Sequence, residues 1–273
     1  MQKERRKKRK KSIIMVDIKP LKQEKDTATF LVKGTTPAYM NTLRRLVLKR
    51  VPTMAVEDIT FVENGSALYD ETVAHRMGLI PLVTDLESYF VKAQCKCNGN
   101  GCARCELQFT LDKKGPCTVY AEDMKFADPK VKPAYQKMPI TKLLDGQNLK
   151  LEGKASLGYG KQHMKFAPGT IHYQGYPNIK IHKATEIAAE QCPANVFKKD
   201  GKTVKVADEE ACILCNACVE VSPEGAIDVK ASDEDFILTV ESWGQLQIKE
   251  IVLKALEILD EELEGLKESI KSI

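Results

Sequence analysis

The stretch that decides the fold is 36-TPAYMNTLRRLVLKR-50. Thr36 suits a helix N-cap and Pro37 the first helical position, where its missing N–H would have had no partner anyway. Wound at about 100° per residue, Tyr39, Met40, Leu43, Leu46, Val47 and then Val51 fall on one side, so that side needs a partner. Asn41, Arg44 and Arg45 lie on the opposite side and leave a polar face free. Just before it, 28-ATFLVK-33 alternates apolar and polar residues and stops at Gly34, the pattern of a half-buried strand feeding the helix. The far end of the chain repeats this order. The run 235-DFILTVES-242 alternates Phe236, Leu238 and Val240 against Ile237, Thr239 and Glu241, and Trp243-Gly244 breaks it. Residues 245–270 then predict a long helix whose Ile248, Val252, Ala255, Leu259, Leu263, Leu266 and Ile270 recur at steps of three and four, close to coiled-coil regularity. Glu250, Lys254, Glu257, Glu261, Glu264 and Lys267 keep the other side soluble. Two strand–helix pairs at the two ends predict one discontinuous domain, 15–51 with 232–273, closed around an insertion.

Within the insertion, 55-AVEDITFVEN-64 reads as a strand stopped at Asn64-Gly65, and Glu71 to Met77 as a short helix ended by Gly78 and Pro81. In 107-LQFTLDKKGPCTVYAEDM-124, two strand-like runs flank Lys114-Gly115 and predict a hairpin. Residues 150–177 read as strands with long connections. Together these predict a mostly-β domain over 52–181, and 182–231 reads as a compact inserted module. The class is α+β.

A chain of 273 residues with 43% hydrophobic content buries a substantial core, which excludes disorder of the whole. The formal charge is +4, yet the first eleven residues, MQKERRKKRKK, hold eight Lys/Arg against one Glu, so the remaining 262 are slightly acidic. The basic pI belongs to a tail, residues 1–14. That tail reads as a solvated run, or as an attractor of phosphate backbones. Met15 opens MVDIKPL directly before ordered-looking sequence, which makes it an alternative start. No apolar run reaches the roughly 20 residues of a membrane-spanning helix, and nothing apolar follows the tail to make a signal peptide. The expectation is a soluble, cytoplasmic protein without a membrane partner. Nine cysteines in that reducing setting point to metals rather than disulfides.

Cys192-Pro193 and Cys212-x2-Cys215-x2-Cys218 follow the ligand spacing of a bacterial-type ferredoxin, in which the fourth thiolate comes from a distant Cys-Pro. Counting back from Cys192 by four, seven and ten meets Ala188, Thr185 and His182. After Cys218 the expected Cys-Pro reads Ser222-Pro223. Both losses belong to one cluster, leaving a single 4Fe-4S site on Cys192, Cys212, Cys215 and Cys218, with a 3Fe-4S form or a structural zinc as alternatives. Cys95-x-Cys97 and Cys102-x2-Cys105, in CKCNGNGCARC, present two thiolate pairs across a Gly/Asn turn, suited to one tetrahedral Zn2+. Another metal or unligated thiols are the competing readings. Cys117 stands alone and reads as a small buried hydrophobe.

Phosphate-loop, dinucleotide-binding, nucleophile-elbow and zinc-protease motifs are all absent from the sequence. His75, four residues after Glu71, and His163, beside Lys165, read as satisfied surface histidines rather than catalytic bases. No catalytic residue is assigned.

Three blocks carry a resemblance. NTLRRLVLKRVPTMAVEDITFVENGSALYDETVAHRMGLIPL (41–82), GKQHMKFAPG (160–169) and FILTVESWG (236–244) followed by a long helix together resemble the D-subunit family of archaeal DNA-dependent RNA polymerase. That family is similar in turn to the third-largest eukaryotic subunit and to the bacterial α subunit. The resemblance spans about Met15 to Ile270 and implies a non-catalytic assembly role. A smaller L subunit would pair through the two helices, by way of Tyr39, Met40, Leu43, Leu46, Val47, Ile248, Val252, Ala255 and Leu259. Small subunits N and P and the two large catalytic subunits would then join, with Arg44, Arg45 and 74-AHRMGLIPL-82 turned to the large ones. DNA would be reached only through the complex. The CxCx4CxxC loop resembles the zinc loop of eukaryotic relatives, and the ferredoxin-like insertion is a feature of some archaeal members. A ferredoxin-type electron carrier or redox-sensing protein is the rival reading, weakened because no flavin or nicotinamide motif accompanies the one remaining cluster. A redox switch on assembly would join the two readings.

Overall fold

The computed structural model describes residues 16–183, 186–201 and 203–272, so the basic tail lies outside the described residues. In chain order the elements are β1 (Asp17–Gln23), β2 (Thr27–Lys33), α1 (Pro37–Arg50), β3 (Pro52–Asn64), α2 (Asp70–Gly78), β4 (Glu106–Lys114), β5 (Cys117–Tyr120) and β6 (Lys125–Phe126). There follow β7 (Pro139–Leu143), β8 (Asn148–Tyr159), β9 (Gly169–Ile181), α3 (Glu186–Glu190), β10 (Phe197–Asp200), β11 (Thr203–Val206), α4 (Ala217–Glu220), β12 (Ile227–Ser242) and α5 (Ile248–Lys271). The result is a mixed, mostly stranded chain.

Thr36 caps α1 as its side chain allows, its Oγ1 accepting from the Tyr39 amide at 3.3 Å. The strands before α1 and before α5 lie side by side in one sheet of order β1-β2-β12-β9. Strand β12 is twice as long as the alternation in 235–242 predicts. It begins at Ile227 because the chain leaves the second cysteine loop already extended.

A second sheet has the order β3-β8-β4-β6. Antiparallel β4 and β8 set Leu107, Phe109 and Leu111 with Leu149, Leu151 and Ala155 on the buried face, and these anchor the largest core. Gly153 lies opposite Phe109 because a Cβ there would come within 2.6 Å of the Phe109 ring. Strand β3 bulges between Val56 and Asp58. Lys165 closes that bulge, its Nζ donating to the Val56 carbonyl at 2.9 Å and pairing with Glu57 at 2.7 Å. His163 Nδ1 accepts from the Lys165 amide at 3.0 Å, and His75 is exposed.

The hairpin expected around Lys114-Gly115 does not form. β4 pairs with β8 and β6, whereas β5 pairs with β7 in a separate two-stranded sheet. Gly115 is instead tied across to the next turn, its amide donating to Gln147 at 2.8 Å, and Pro116 can offer no ladder donor. The connection inside 150–177 is also short, covering only the residues between Tyr159 and Gly169. Cys117 is half-buried against the main core.

The chain divides into two compact units. Of the described residues, one gathers 16–23, Thr29–Met40 and those within 173–239, and contains the small core of the second cysteine region. The other gathers Glu24–Ala28, Asn41–His172 and Val240–Ile273, and contains the main β core. Among the described residues no helix is long and apolar enough to cross a membrane.

Candidate metal centres and partner face

The loop between Val91 and β4 is built from tight turns. Backbone bonds Asn98 N to Cys95 O (3.0 Å), Asn100 N to Cys97 O (3.1 Å) and Cys105 N to Cys102 O (2.9 Å) fold it on itself. Asn98, Gly99 and Gly101 take positive φ, which the Gly/Asn composition permits. These turns bring Cys95, Cys97, Cys102 and Cys105 together, with all four sulfurs within 4.8 Å of one another. Individual Sγ–Sγ separations are 3.5 Å for Cys95–Cys102, 3.6 Å for Cys97–Cys105 and 3.8 Å for Cys102–Cys105. Four thiolates about 2.3 Å from one tetrahedral ion would stand about 3.8 Å apart. This donor set therefore fits a metal.

Glu106, just after the last cysteine, anchors the loop by pairing with Lys92 at 2.6 Å and Lys154 at 3.4 Å. Arg104 adds a guanidinium 4.7 Å from the centre of the Phe90 ring. Burial pushes the Cys105 thiol up to about 12. Burial also opposes ionisation of Cys97, but hydrogen bonds from the Cys95 and Cys105 thiols and the Gly101 and Gly99 amides draw it down to about 7. A metal entering here displaces at least the Cys105 proton. Zinc affinity is therefore expected to fall by about tenfold or more per pH unit between about pH 8 and about pH 6, as a competing chromophoric chelator would report. A flat affinity across that range would mean the buried thiol is not a ligand.

The second cysteine group differs. Among the described residues, Cys192, Cys212, Cys215 and Cys218 are not drawn to the spacing of a single ion, as the first four are. Cys212 and Cys218 are nonetheless buried in one small core with Cys192 packed against it, while Cys215 is exposed. Burial raises the Cys212 and Cys218 thiols, and the neighbouring Cys192 and Cys215 charges add to this. The Val196 amide donates to Cys192 Sγ at 3.4 Å, and the Leu214 amide donates to Cys212. Asn195, Leu214 and Asn216 all have positive φ, and in Leu this costs backbone strain. Strand β9 holds the loop, since Gln174 Nε2 donates to the Cys212 carbonyl at 2.9 Å and Glu209 accepts from the Ile179 amide at 3.1 Å. Sequence reading missed Gln174, which lies far from any cysteine in the chain, and Glu209, which is only three residues before Cys212 but is not of a cluster-ligand type.

On α1 the chain itself covers Met40 (0% exposed), Leu43 (6%), Leu46 (6%) and Val47 (0%), and Tyr39 is the exposed member of that stripe at 37%. Arg44 is half-buried and held by Asn41 Oδ1, which accepts from its Nη2 at 2.9 Å and its Nε at 3.2 Å; Arg45 is exposed. On α5 the single stripe read from sequence resolves into two rows. Ile251, Ala255 and Ile258 face inward and are buried. Val252, Leu256 and Leu259, half-buried like Ile248, run on into the exposed Leu263, Leu266 and Ile270. That second row steps by four, three, four, three and four, and Leu256 belongs to it where sequence reading had Ala255. Winding the two rows separately, about 100° apart, would have revealed this.

Residues 59–173 match the RNA polymerase Rpb3/RpoA insert domain family. The chain is 35% identical to a DNA-directed RNA polymerase subunit Rpo3 from Methanosphaera stadtmanae, over 92% of this chain and 97% of that protein. It is 37% identical to the subunit of the same name from Archaeoglobus fulgidus, over 95% of this chain and 100% of the relative. The corresponding protein of Pyrococcus horikoshii is 36% identical over 90% and 94%.

Proposed function

The chain belongs to the Rpo3 family of archaeal RNA polymerase and is a non-catalytic assembly subunit of that enzyme; on this premise we propose that it pairs with the small subunit L. The pairing surface is the apolar row on α5, with Tyr39 of α1 as a further contact. The observation that carries this reading is the exposure of Leu263 (54%), Leu266 (57%) and Ile270 (62%) in one heptad-spaced row. Large apolar side chains in such a seam are covered by another helix far more often than left in water. The pair then forms the platform for subunits N and P and the two large catalytic subunits in the cytoplasm, and meets DNA only through them. The domain arrangement proposed with it is a dimerisation domain of 15–51 and 232–273, a β-rich insert over 52–181 and a ferredoxin-like module over 182–231.

The four-cysteine loop at Cys95–Cys105 holds a structural Zn2+, supported by sulfur separations that match a single tetrahedral ion. Cys192, Cys212, Cys215 and Cys218 hold one 4Fe-4S cluster, or its 3Fe-4S form. The support is the ferredoxin-type spacing of the four cysteines, the small core shared by Cys192, Cys212 and Cys218, and the amides donating to Cys192 and Cys212. Anaerobically purified chain should carry about four iron and about one zinc. Zinc alone at both sites would remove the cluster from this account.

Arg44→Glu tests the division of labour on α1. The change is expected to leave pairing with L intact and to weaken recruitment of the large subunits by about tenfold or more. Leu43→Asp puts an unpaired charge at a buried position, which costs about 3–5 kcal/mol, so folding and pairing should be lost together. Co-purification with tagged L, followed by addition of the large subunits, separates the two outcomes. Intact assembly by both variants would sink this reading of α1.

A further inference from the structure

Against the first turn of α1 lies an open cleft of about 660 Å³. Its apolar side is Val16 (40% exposed) and Tyr39 (37%), and its charged side is Asp233 and Glu234, both exposed. Backbone bonds build the corner between them. The Thr35 amide donates to the Glu234 carbonyl at 3.0 Å, and the Gly34 amide donates to Asp235 Oδ1 at 3.2 Å. Ser232 Oγ accepts from the Glu234 and Asp235 amides at 3.2 and 3.0 Å, which holds the acidic run in place. Asp235 is thus satisfied within the fold. Among the described residues no cation pairs with the carboxylates of Asp233 or Glu234.

Two exposed carboxylates beside two half-open apolar side chains are ordinary on a surface. What distinguishes this cleft is where the chain enters it. Val16, the first described residue, belongs to the lining, so the segment bonded to it starts at the rim. That segment reads 8-KRKKSIIM-15, four cations and then, after Ser12, three apolar side chains. Cations and apolar groups are what the two sides of the cleft lack. From Lys10 to Val16 an extended chain spans about 20 Å, which puts Lys10 and Lys11 within reach of the acidic side.

We propose that this cleft seats residues 10–15 of the same chain, with Ile13, Ile14 and Met15 against Val16 and Tyr39, and Lys10 and Lys11 taken by Asp233 and Glu234. Seating removes apolar side chains from water and gives the two carboxylates their counter-charges. A segment tethered at the rim acts at an effective concentration of about 1 mM, so a separate chain must displace it to enter. The basic tail is then in part a cover over Tyr39, rather than wholly an attractor of phosphate backbones. The seat does not depend on pairing with L. Tyr39 is nonetheless a contact in that pairing as proposed above, so the test is run on the dilute full chain before L is added.

Thermolysin cuts before large apolar residues, and mass spectrometry follows its cleavage at Ile13 and Ile14. The chains compared are wild type, Lys10→Glu/Lys11→Glu, Asp233→Lys/Glu234→Lys and the chain carrying all four changes. Wild type should be cut slowly, each paired variant about tenfold faster, and the fourfold variant should regain protection. Regained protection cannot come from a damaged fold. Raising salt from about 0.1 to about 0.5 M should speed cutting of wild type. Equal rates in all four chains, or a fourfold variant cut as fast as its parents, overturns the proposal. Protection that appears only at raised chain concentration gives the cleft to a second copy, and protection that appears only with L gives it to that partner. Protection that needs a duplex of about 20 base pairs assigns the tail to phosphates. Each of these three results also overturns the proposal.

Discussion

Leu266→Asp is expected to abolish pairing with L while leaving the chain folded. Leu266 is 57% exposed on α5, in the row that runs from Val252 to Ile270. In the isolated chain the substitution touches only surface, where changes are usually within about 0.5 kcal/mol. Glu262, one turn earlier, adds a minor like-charge cost. In a helical seam the same change forfeits the burial of one leucine, about 1.5–3 kcal/mol, and places a carboxylate where no cation answers it, at about 2 kcal/mol or more. Together these weaken pairing by about a thousandfold, since about 1.4 kcal/mol corresponds to a factor of ten. Circular dichroism melting checks the fold, and titration with L checks the affinity. Wild-type affinity in the variant would mean that the exposed row is not the seam. Lys267→Asp, beside it on the polar side, serves as the control and should pair within a few-fold of wild type.

The second large effect is expected from Cys105→Ser. Cys105 is completely buried among the three other loop sulfurs and directly precedes Glu106 and β4. Removing one of four ligands takes away both the metal and the reason for the turns, because four thiols, two buried and two half-buried, do not by themselves hold such a loop closed. Loss of a structural metal belongs to the rare substitutions that cost about 4 kcal/mol or more. Zinc content should fall to near zero, and limited proteolysis should cut between Lys92 and Cys105. Strands β4 and β8 should stay protected, because Leu107, Phe109, Leu151 and Ala155 hold them without help from the loop. Cys215→Ser, in the exposed position of the other group, should leave zinc content and loop protection untouched. A resistant loop in Cys105→Ser would show that the loop is held by Glu106 and Arg104 contacts alone.

The two ends of the chain were legible because each of their signals is local. The cap at Thr36, the alternation of 28–33 and 235–242 and the three-four spacing on α5 each need only a window of ten to twenty residues. The cysteine loop was legible for the same reason, since four ligands within eleven residues leave little freedom in where they meet. The hairpin around Gly115 was misread because a Gly-Pro break between two strand-like runs looks the same whether the chain turns back or crosses to another sheet. The partner of β5 lies some twenty residues on, in β7. The choice between Ala255 and Leu256 was a matter of about 100° on one helix, which only the surroundings of α5 settle. Lys161 and Lys165 sit in the same ten-residue block yet serve different ends, one donating its amide to the last turn of α1 and the other closing the bulge in β3. Both roles depend on contacts more than a hundred residues away in sequence, to Lys49 and Val56.

The measurement that bears most directly on the assembly role is the mass, by sedimentation equilibrium, of the full chain mixed with purified L, followed by addition of the large subunits. The chain alone should self-associate or precipitate through the uncovered row on α5. With L it should give a soluble one-to-one complex that goes on to bind the large subunits. A monodisperse chain that shows no affinity for L would contradict the account.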